Sequence, residues 1–235
     1  YLDEPLELKV IRPTSTSSYS SVVVLAPKGD GTQRVTCNFA PLNRKIKKYA
    51  FSPVTPQDIF DCCCGCEMFS TLDVTKAFYN LKVKPTDVHK TAFATPHRGM
   101  FEWLRLPMGL VNSPADLAAA FENMFRVPLP SEFGSLAGKM ALGTVVSVYC
   151  DDILIHTSAR LHHTALMWVM RTLHRHNVSV RPDKCHLGKR EVSYLGMILS
   201  EQGLTIDPKK TKALLEAPRP TCLLYTSPSP RDQAK

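Results

Sequence analysis

Apolar residues recur along the chain with two different spacings, and the change from one to the other marks out the elements. Residues 21–26 and 34–39 are β-rich runs joined by Lys28-Gly29-Asp30-Gly31, whose Asp-Gly pair signals a tight hairpin with a basic tip. Thr55-Pro56-Gln57-Asp58 offers an N-cap, a proline at the first helical position and an acid at the third, which predicts a short helix stopping at Gly65. Residues 68–74 read as a buried strand that ends by delivering Asp73, and residues 75–79 as a helical turn or tight bend. Ser113-Pro114-Ala115-Asp116 repeats the capping pattern, and Leu117, Phe121 and Phe125 then recur every fourth residue, the apolar stripe of a helix. Residues 144–149 and 153–155 are strand-length apolar runs separated by Cys150-Asp151-Asp152, a hairpin with acids at its tip. Leu161, Ala165, Val169 and Leu173 mark a second long helix over residues 158–176, and residues 192–200 with 204–206 predict a final hairpin around Glu201-Gln202-Gly203. This order predicts an α+β fold, an antiparallel sheet layered on two helices in a nearly ferredoxin-like arrangement. The stretch from Leu223 to Asp232 breaks all periodicity and carries two prolines, so residues 222–235 read as a disordered, non-native tail.

Composition narrows the class. At 235 residues and 44% apolar the chain can fill one large core or two small ones. No run reaches the ~18 to 20 apolar residues of a membrane span, and Tyr1-Leu2-Asp3-Glu4-Pro5 has neither the charge nor the apolar stretch of a signal peptide. The expectation is a soluble, non-secreted protein without a membrane partner. Because the first residue is not Met, the sequence reads as a segment of a longer chain or a processed polyprotein. A net charge of +8 favours a polyanionic partner, since cations set against phosphates release condensed counterions, although many basic proteins bind no nucleic acid. Cys62, Cys63, Cys64 and Cys66 are too close together for a paired C-x-x-C zinc site and are expected to pack as small apolar residues in a reducing compartment.

The chemistry concentrates in the acids. Asp151 and Asp152 at a hairpin tip repel one another unless a cation lies between them, and magnesium suits oxygen-only ligands. Asp73 ends another predicted central strand, so both strands can present acids at one sheet edge. Two magnesium ions ~4 Å apart on such acids stabilise the attacking and leaving oxygens of a phosphoryl transfer. An Asp-Asp pair on its own also makes ordinary turns.

Tyr149-Cys150-Asp151-Asp152 resembles the Tyr-x-Asp-Asp box of reverse transcriptases, and Leu72-Asp73-Val74 resembles their first palm motif. The run from Leu106 through Pro107-Met108-Gly109 to Ser113-Pro114 resembles their next motif. With Arg34, Leu42-Asn43, Lys90-Thr91-Ala92-Phe93, Pro182-Asp183-Lys184-Cys185 and Tyr194-Leu195-Gly196, the resemblance runs in order over about residues 11–218, and is strongest to long-terminal-repeat retrotransposon and retroviral polymerases. It implies a right-hand polymerase: fingers over residues 1–52 and 81–111, palm over 53–80 and 112–206, and the start of a thumb over 207–221. It implies RNA- and DNA-directed DNA synthesis with two Mg2+ or Mn2+ ions, dNTP substrates and a primed RNA or DNA template. It also implies a Pol polyprotein carrying thumb and RNase H, in a cytoplasmic retroelement particle. The competing reading is a truncated remnant that binds nucleic acid without catalysis. A nucleotide cyclase shares the palm layout but leaves the template-side motifs unexplained, and a zinc-binding interaction module is weaker still.

By the resemblance, Asp73 and Asp151 hold both metals, and Asp152 assists geometry or primer placement nearer the rim. Arg34 and Lys28 meet the triphosphate, Arg as a planar fork and Lys as a point charge; the plain alternative is a solvated hairpin face. Phe78 takes the place of the aromatic gate against a ribose 2′-OH, with Tyr79 able to shift the register and a core Phe as the alternative. Met108 and Gly109 floor the site below the incoming base, or simply form a loop. Tyr149 faces primer and template, Lys184 a phosphate or the departing pyrophosphate unless it is merely a surface lysine. Leu195 and Gly196 form the primer grip, where a glycine lets backbone approach the strand. Asn38 and Ala40 stand where relatives carry Asp and Arg, so both partners of an ion pair are absent together. Residues 127–143 run longer than usual and are expected to form a surface loop. With the thumb cut short near Pro218, grip on a duplex is expected to be poor.

Overall fold

The computed structural model describes residues 2–27, 33–50, 52, 54–208 and 212. In chain order the elements are α1 (Asp3–Glu7), β1 (Ile11–Thr14), β2 (Ser21–Pro27), β3 (Gln33–Asn38), α2 (Ala40–Asn43), α3 (Pro56–Cys62) and β4 (Met68–Asp73). They continue with β5 (Phe93–Thr95), β6 (Gly99–Trp103), α4 (Ser113–Phe125), β7 (Val146–Tyr149), β8 (Asp152–Thr157) and α5 (Ala159–Arg175). Last come β9 (His186–Lys189), β10 (Glu191–Tyr194), β11 (Met197–Ser200) and β12 (Gly203–Ile206).

The sheet that matters for function has the order β7-β8-β4-β9, antiparallel throughout. Its central strands are apolar on both faces, and each face has its own cover. Ile153 and Ile155 of β8, with Leu72, Val146 and Val148, are buried against Leu117, Phe121 and Phe125 of α4 and Ala165, Val169 and Leu173 of α5. Leu154 and Phe69 turn the other way, onto Ile59 and Phe60 of α3 and Val192, Tyr194 and Leu199 of the strands beyond. This period-two division explains why β8 reads as an unbroken apolar run rather than an alternating one. α3 begins with the predicted capping box: the Asp58 N–H donates to Thr55 Oγ1 at 3.2 Å, and the Thr55 N–H donates to the Asp58 carboxylate at 2.9 Å.

A second sheet has the order β1-β6-β5-β2-β3, with β2 and β5 the parallel pair. Beneath it Phe93 stacks on Phe101 at 5.9 Å, and Trp103, Phe39 and Ile11 complete a separate core. No helix among the described residues is long and apolar enough to cross a membrane.

The structure departs from the sequence expectations at several points. The run 192–200 is not one strand: it breaks at Leu195-Gly196, with φ of +51° and +80°, and β10, β11 and β12 form a three-stranded meander. Two consecutive positive φ angles between paired Tyr194 and Met197 are what a two-residue hairpin of matching twist needs. α4 starts at Ser113 itself, with no side-chain cap, because the Ser113 hydroxyl donates back to the Pro107 carbonyl at 3.1 Å. On α5 Leu161 is half-buried and His162 takes the inward position, where its ring meets Ser70 Oγ at 2.7 Å and Thr157 Oγ1 at 2.9 Å. Residues 127–143 are no plain surface loop, since Leu129, Phe133 and Ala141 enter the main core. Of the cysteine cluster only Cys63 is buried; Cys62 and Cys64 are exposed and Cys66 half-buried. The Lys28-Gly29-Asp30-Gly31 tip, most of 207–221 and the 222–235 tail lie outside the described residues.

Candidate active site

Strand register assembles the acids. In the β4–β8 pair Asp73 faces Asp152, and in the β7–β8 pair Tyr149 faces Asp152, so the three lie side by side across neighbouring strands. Asp152 is the first residue of β8 rather than part of the turn, which consists of Cys150 and Asp151 alone. Cys150 has φ +56°, rare for a side-chain-bearing residue but required at the first central position of a two-residue hairpin. The Val74 N–H donates to the Asp151 carbonyl at 3.4 Å, which pins the tip over the end of β4. From the meander, the Tyr194 hydroxyl donates to the Asp152 carbonyl at 3.0 Å.

Burial, and then the charges of Asp151 and Asp73, push the Asp152 carboxyl above the usual carboxylate range. The acids therefore form one electrostatic unit that calls for a cation. In this conformation Arg181 supplies one: its Nε and Nη2 reach the same oxygen of Asp73, Oδ1, at 2.7 and 2.5 Å. Main-chain pairing delivers it there. The Arg181 N–H donates to the Asp73 carbonyl at 2.9 Å, and the Thr75 N–H to the Ser179 carbonyl at 2.8 Å, so residues 179–181 zip onto the end of β4. Arg181 was not among the residues expected from sequence; its signal is a basic residue directly before Pro182-Asp183-Lys184.

Three acids with oxygen-only ligands at one sheet edge fit a hard divalent cation in donor type and backbone placement. The side chains themselves do not yet form the expected cage. Among the described residues no three His, Cys, Asp or Glu side chains are gathered closely enough to hold a metal ion, and the Asp73 carboxylate is turned to Arg181.

The other expected residues divide between the vicinity of this edge and elsewhere. Phe78 is half-buried against the core under the four-stranded sheet, whereas Tyr79 tilts onto Trp103 at 6.0 Å in the other core, which separates the two rings. Met108 is half-buried and Gly109 exposed, the latter at φ +99°, a region closed to most side chains. Asn43 clamps that loop: its Nδ2 donates to the Gly109 carbonyl at 2.8 Å and its Oδ1 accepts from the Val111 N–H at 2.9 Å. No role for Asn43 follows from its motif alone. Asn38 likewise has a local task, its Oδ1 accepting from the Ala40 N–H at 3.0 Å at the start of α2. Arg34 pairs with Ala26 across the β2–β3 ladder, and Lys28 lies outside the described residues. Lys184 is exposed in a short turn after Arg181, and Leu195 packs beside Tyr194. A cavity of about 370 Å³ opens beside the acid tip, lined by Tyr149, Cys150, Pro114, Ala118 and Tyr49 among others.

Residues 26–199 match the family described as reverse transcriptase (RNA-dependent DNA polymerase). Among curated proteins the chain is similar to the retrovirus-related Pol polyproteins from transposons opus and 297 of Drosophila melanogaster. Each is 31% identical over 226 residues, which is 94% of this chain and 21% and 20% of those proteins. The transposon Tf2-3 polyprotein of Schizosaccharomyces pombe is 28% identical over 87% of this chain and 14% of its own length. The chain thus spans about a fifth or less of these relatives. Among solved structures, the foamy viral protease-reverse transcriptase in complex with dsDNA superposes with a TM-score of 0.79 at 23% identity, over 93% of this chain and 43% of that one. The native prototype foamy virus protease-reverse transcriptase gives 0.65 at 25% identity, over 83% and 24%. The fold is the α+β right-hand polymerase fold, and the chain belongs to the reverse transcriptase (RNA-dependent DNA polymerase) family.

Proposed function

We propose that this chain is the fingers and palm of a retroelement reverse transcriptase, extending a primer 3′-hydroxyl with dNTPs on an RNA or DNA template. The observation that carries the reading is the register of Asp73 opposite Asp152, with Asp151 pinned at the same edge. The five-stranded sheet corresponds to the fingers, and the four-stranded sheet with α4 and α5 to the palm. Asp73 and Asp151 would hold two Mg2+ ions, with Mn2+ as a substitute, and Asp152 would assist at the rim. Ions held by these acids would supply neutralisation of charge on the attacking and departing oxygens. Arg34 and Lys28 bind the triphosphate. Phe78 excludes the ribose 2′-OH, while Met108 and Gly109, held by Asn43, support the incoming base. Tyr149, Lys184 and the Leu195-Gly196 turn position primer and template. The foamy virus neighbours include complexes with dsDNA and with RNA/DNA hybrid, which supports a template–primer duplex as the partner here. The Pol polyprotein relatives support a setting within a longer Pol polyprotein, and a thumb, an RNase H and a cytoplasmic element particle complete the proposed setting.

The test is primer extension on a homopolymer template by this chain and by its Asp151→Asn variant. The expected result is extension by the parent and a loss of about 10²-fold or more in the variant, the scale seen when an electrostatic stabiliser of the transition state is removed. Equal extension by both proteins overturns the assignment. Template binding without extension in either protein supports instead a remnant that binds nucleic acid.

A further inference from the structure

Arg181 is bound to the site, and none of the roles above uses it. Its main chain is fixed on both sides. Its N–H pairs with the Asp73 carbonyl at 2.9 Å, and its own carbonyl accepts from the Lys184 N–H at 3.1 Å as Pro182 starts the next turn. The guanidinium is therefore delivered to the acids by the fold rather than arriving as a wandering surface side chain. Nε and Nη2 both take Asp73 Oδ1, so the fork closes on one oxygen of the carboxylate. A guanidinium keeps its charge at any pH the protein meets. It thus offsets one charge of the edge at which Asp73 faces Asp152 and the Asp151 tip is pinned over the end of β4.

We infer that Arg181 is a positioning residue that acts as a built-in counter-cation for Asp73 and competes with divalent metal for that carboxylate. The inference rests on the acids being the metal site. A cation that loads onto Asp73 either displaces the guanidinium or shares the carboxylate with a positive charge at salt-bridge distance, and both weaken its binding. The competition keeps the acids paired and the edge ordered until metal arrives. It also raises the metal concentration needed to draw Asp73 towards Asp151. Because the Arg181 side chain is 42% exposed, solvent screens the effect and keeps it moderate.

The experiment is Mn2+ titration of the whole chain without nucleic acid or dNTP, with bound ion read from loss of the free-Mn2+ electron paramagnetic resonance signal. Arg181→Gln is expected to lower the Mn2+ dissociation constant about three- to tenfold, the reach of one screened charge near a surface site. Arg181→Lys, which keeps the charge but loses the fork, is expected between parent and Gln variant. In an Asp73→Asn background, adding Arg181→Gln is expected to give no tightening. Mn2+ binding by the Gln variant equal to or weaker than the parent overturns the inference while leaving the metal site standing. Should the Gln variant lose its fold by circular dichroism, the Lys variant decides, and no tightening there overturns it. If Asp73→Asn binds Mn2+ as the parent does, the acids are not the metal site and the inference falls with that reading.

Discussion

At the scale of single residues, the most telling buried group outside the site is His156. Its Nε2 meets Ser147 Oγ at 2.9 Å and its Nδ1 lies 3.7 Å from Cys66 Sγ, on the strand that begins with Asp152. Burial, and secondarily the nearness of His162, push it down to about 4 from 6.5. The folded chain therefore holds His156 neutral at pH values where the unfolded chain already binds a proton. Stability is full above about 6.5, falls as pH drops through the window to about 4, and loses about 3 kcal/mol at most from this group. His162, also pushed down by burial, adds a loss of the same sign. Urea denaturation at pH 7.5 and at pH 5 is expected to show a smaller acid loss for His156→Gln than for the parent. Identical acid losses in the two proteins would mean that His156 charges inside the folded chain at no cost.

At the scale of elements, what could be read from the sequence was what repeats. Leu117, Phe121 and Phe125 located α4, and the apolar runs around Asp73 and Asp151 located β4, β7 and β8, because burial on a helix face or sheet face imposes a period. Three features had no period to show. The turn at Leu195-Gly196 depends on which residues pair across it, a fact of register rather than composition. Arg181 lies 108 residues from its partner Asp73, and a contact between distant side chains leaves no local pattern. Phe133 is a single aromatic in an aperiodic stretch, yet it is fully buried, edge-on to Trp168 of α5 with ring centroids 6.1 Å apart. Length alone suggested a surface loop; the ring makes it a plug for the core. Phe133→Ala is accordingly expected to cost about 3 to 5 kcal/mol in thermal or denaturant unfolding, the range for deleting a buried aromatic. A change within about 0.5 kcal/mol, typical of exposed positions, would return the segment to the surface.

At the scale of the whole molecule, two separately cored sheets meet through the segment that runs from β6 into α4, and Asn43 ties α2 to that segment at Gly109 and Val111. The arrangement places the acid edge and the 370 Å³ cavity beside the same α4 N-terminal region, while the chain as a whole carries +8. A polyanion bound to such a surface is held largely by counterion release, so its affinity is expected to fall linearly on a log–log plot against salt, with a slope near −0.9 per phosphate neutralised on duplex DNA. Lys184 gives this a residue-level handle, because it is exposed and follows Arg181 at the acid edge. If its ammonium meets a phosphate, Lys184→Ala weakens binding evenly across template sequences and flattens the slope by about 1. Fluorescence anisotropy of a labelled primer–template between about 50 and 200 mM salt resolves a difference of that size, since several contacts together shift affinity by orders of magnitude over this range. An unchanged slope with unchanged affinity makes Lys184 a solvated lysine, and the burden of phosphate contact then moves to the other proposed phosphate-binding residues, Lys28 and Arg34.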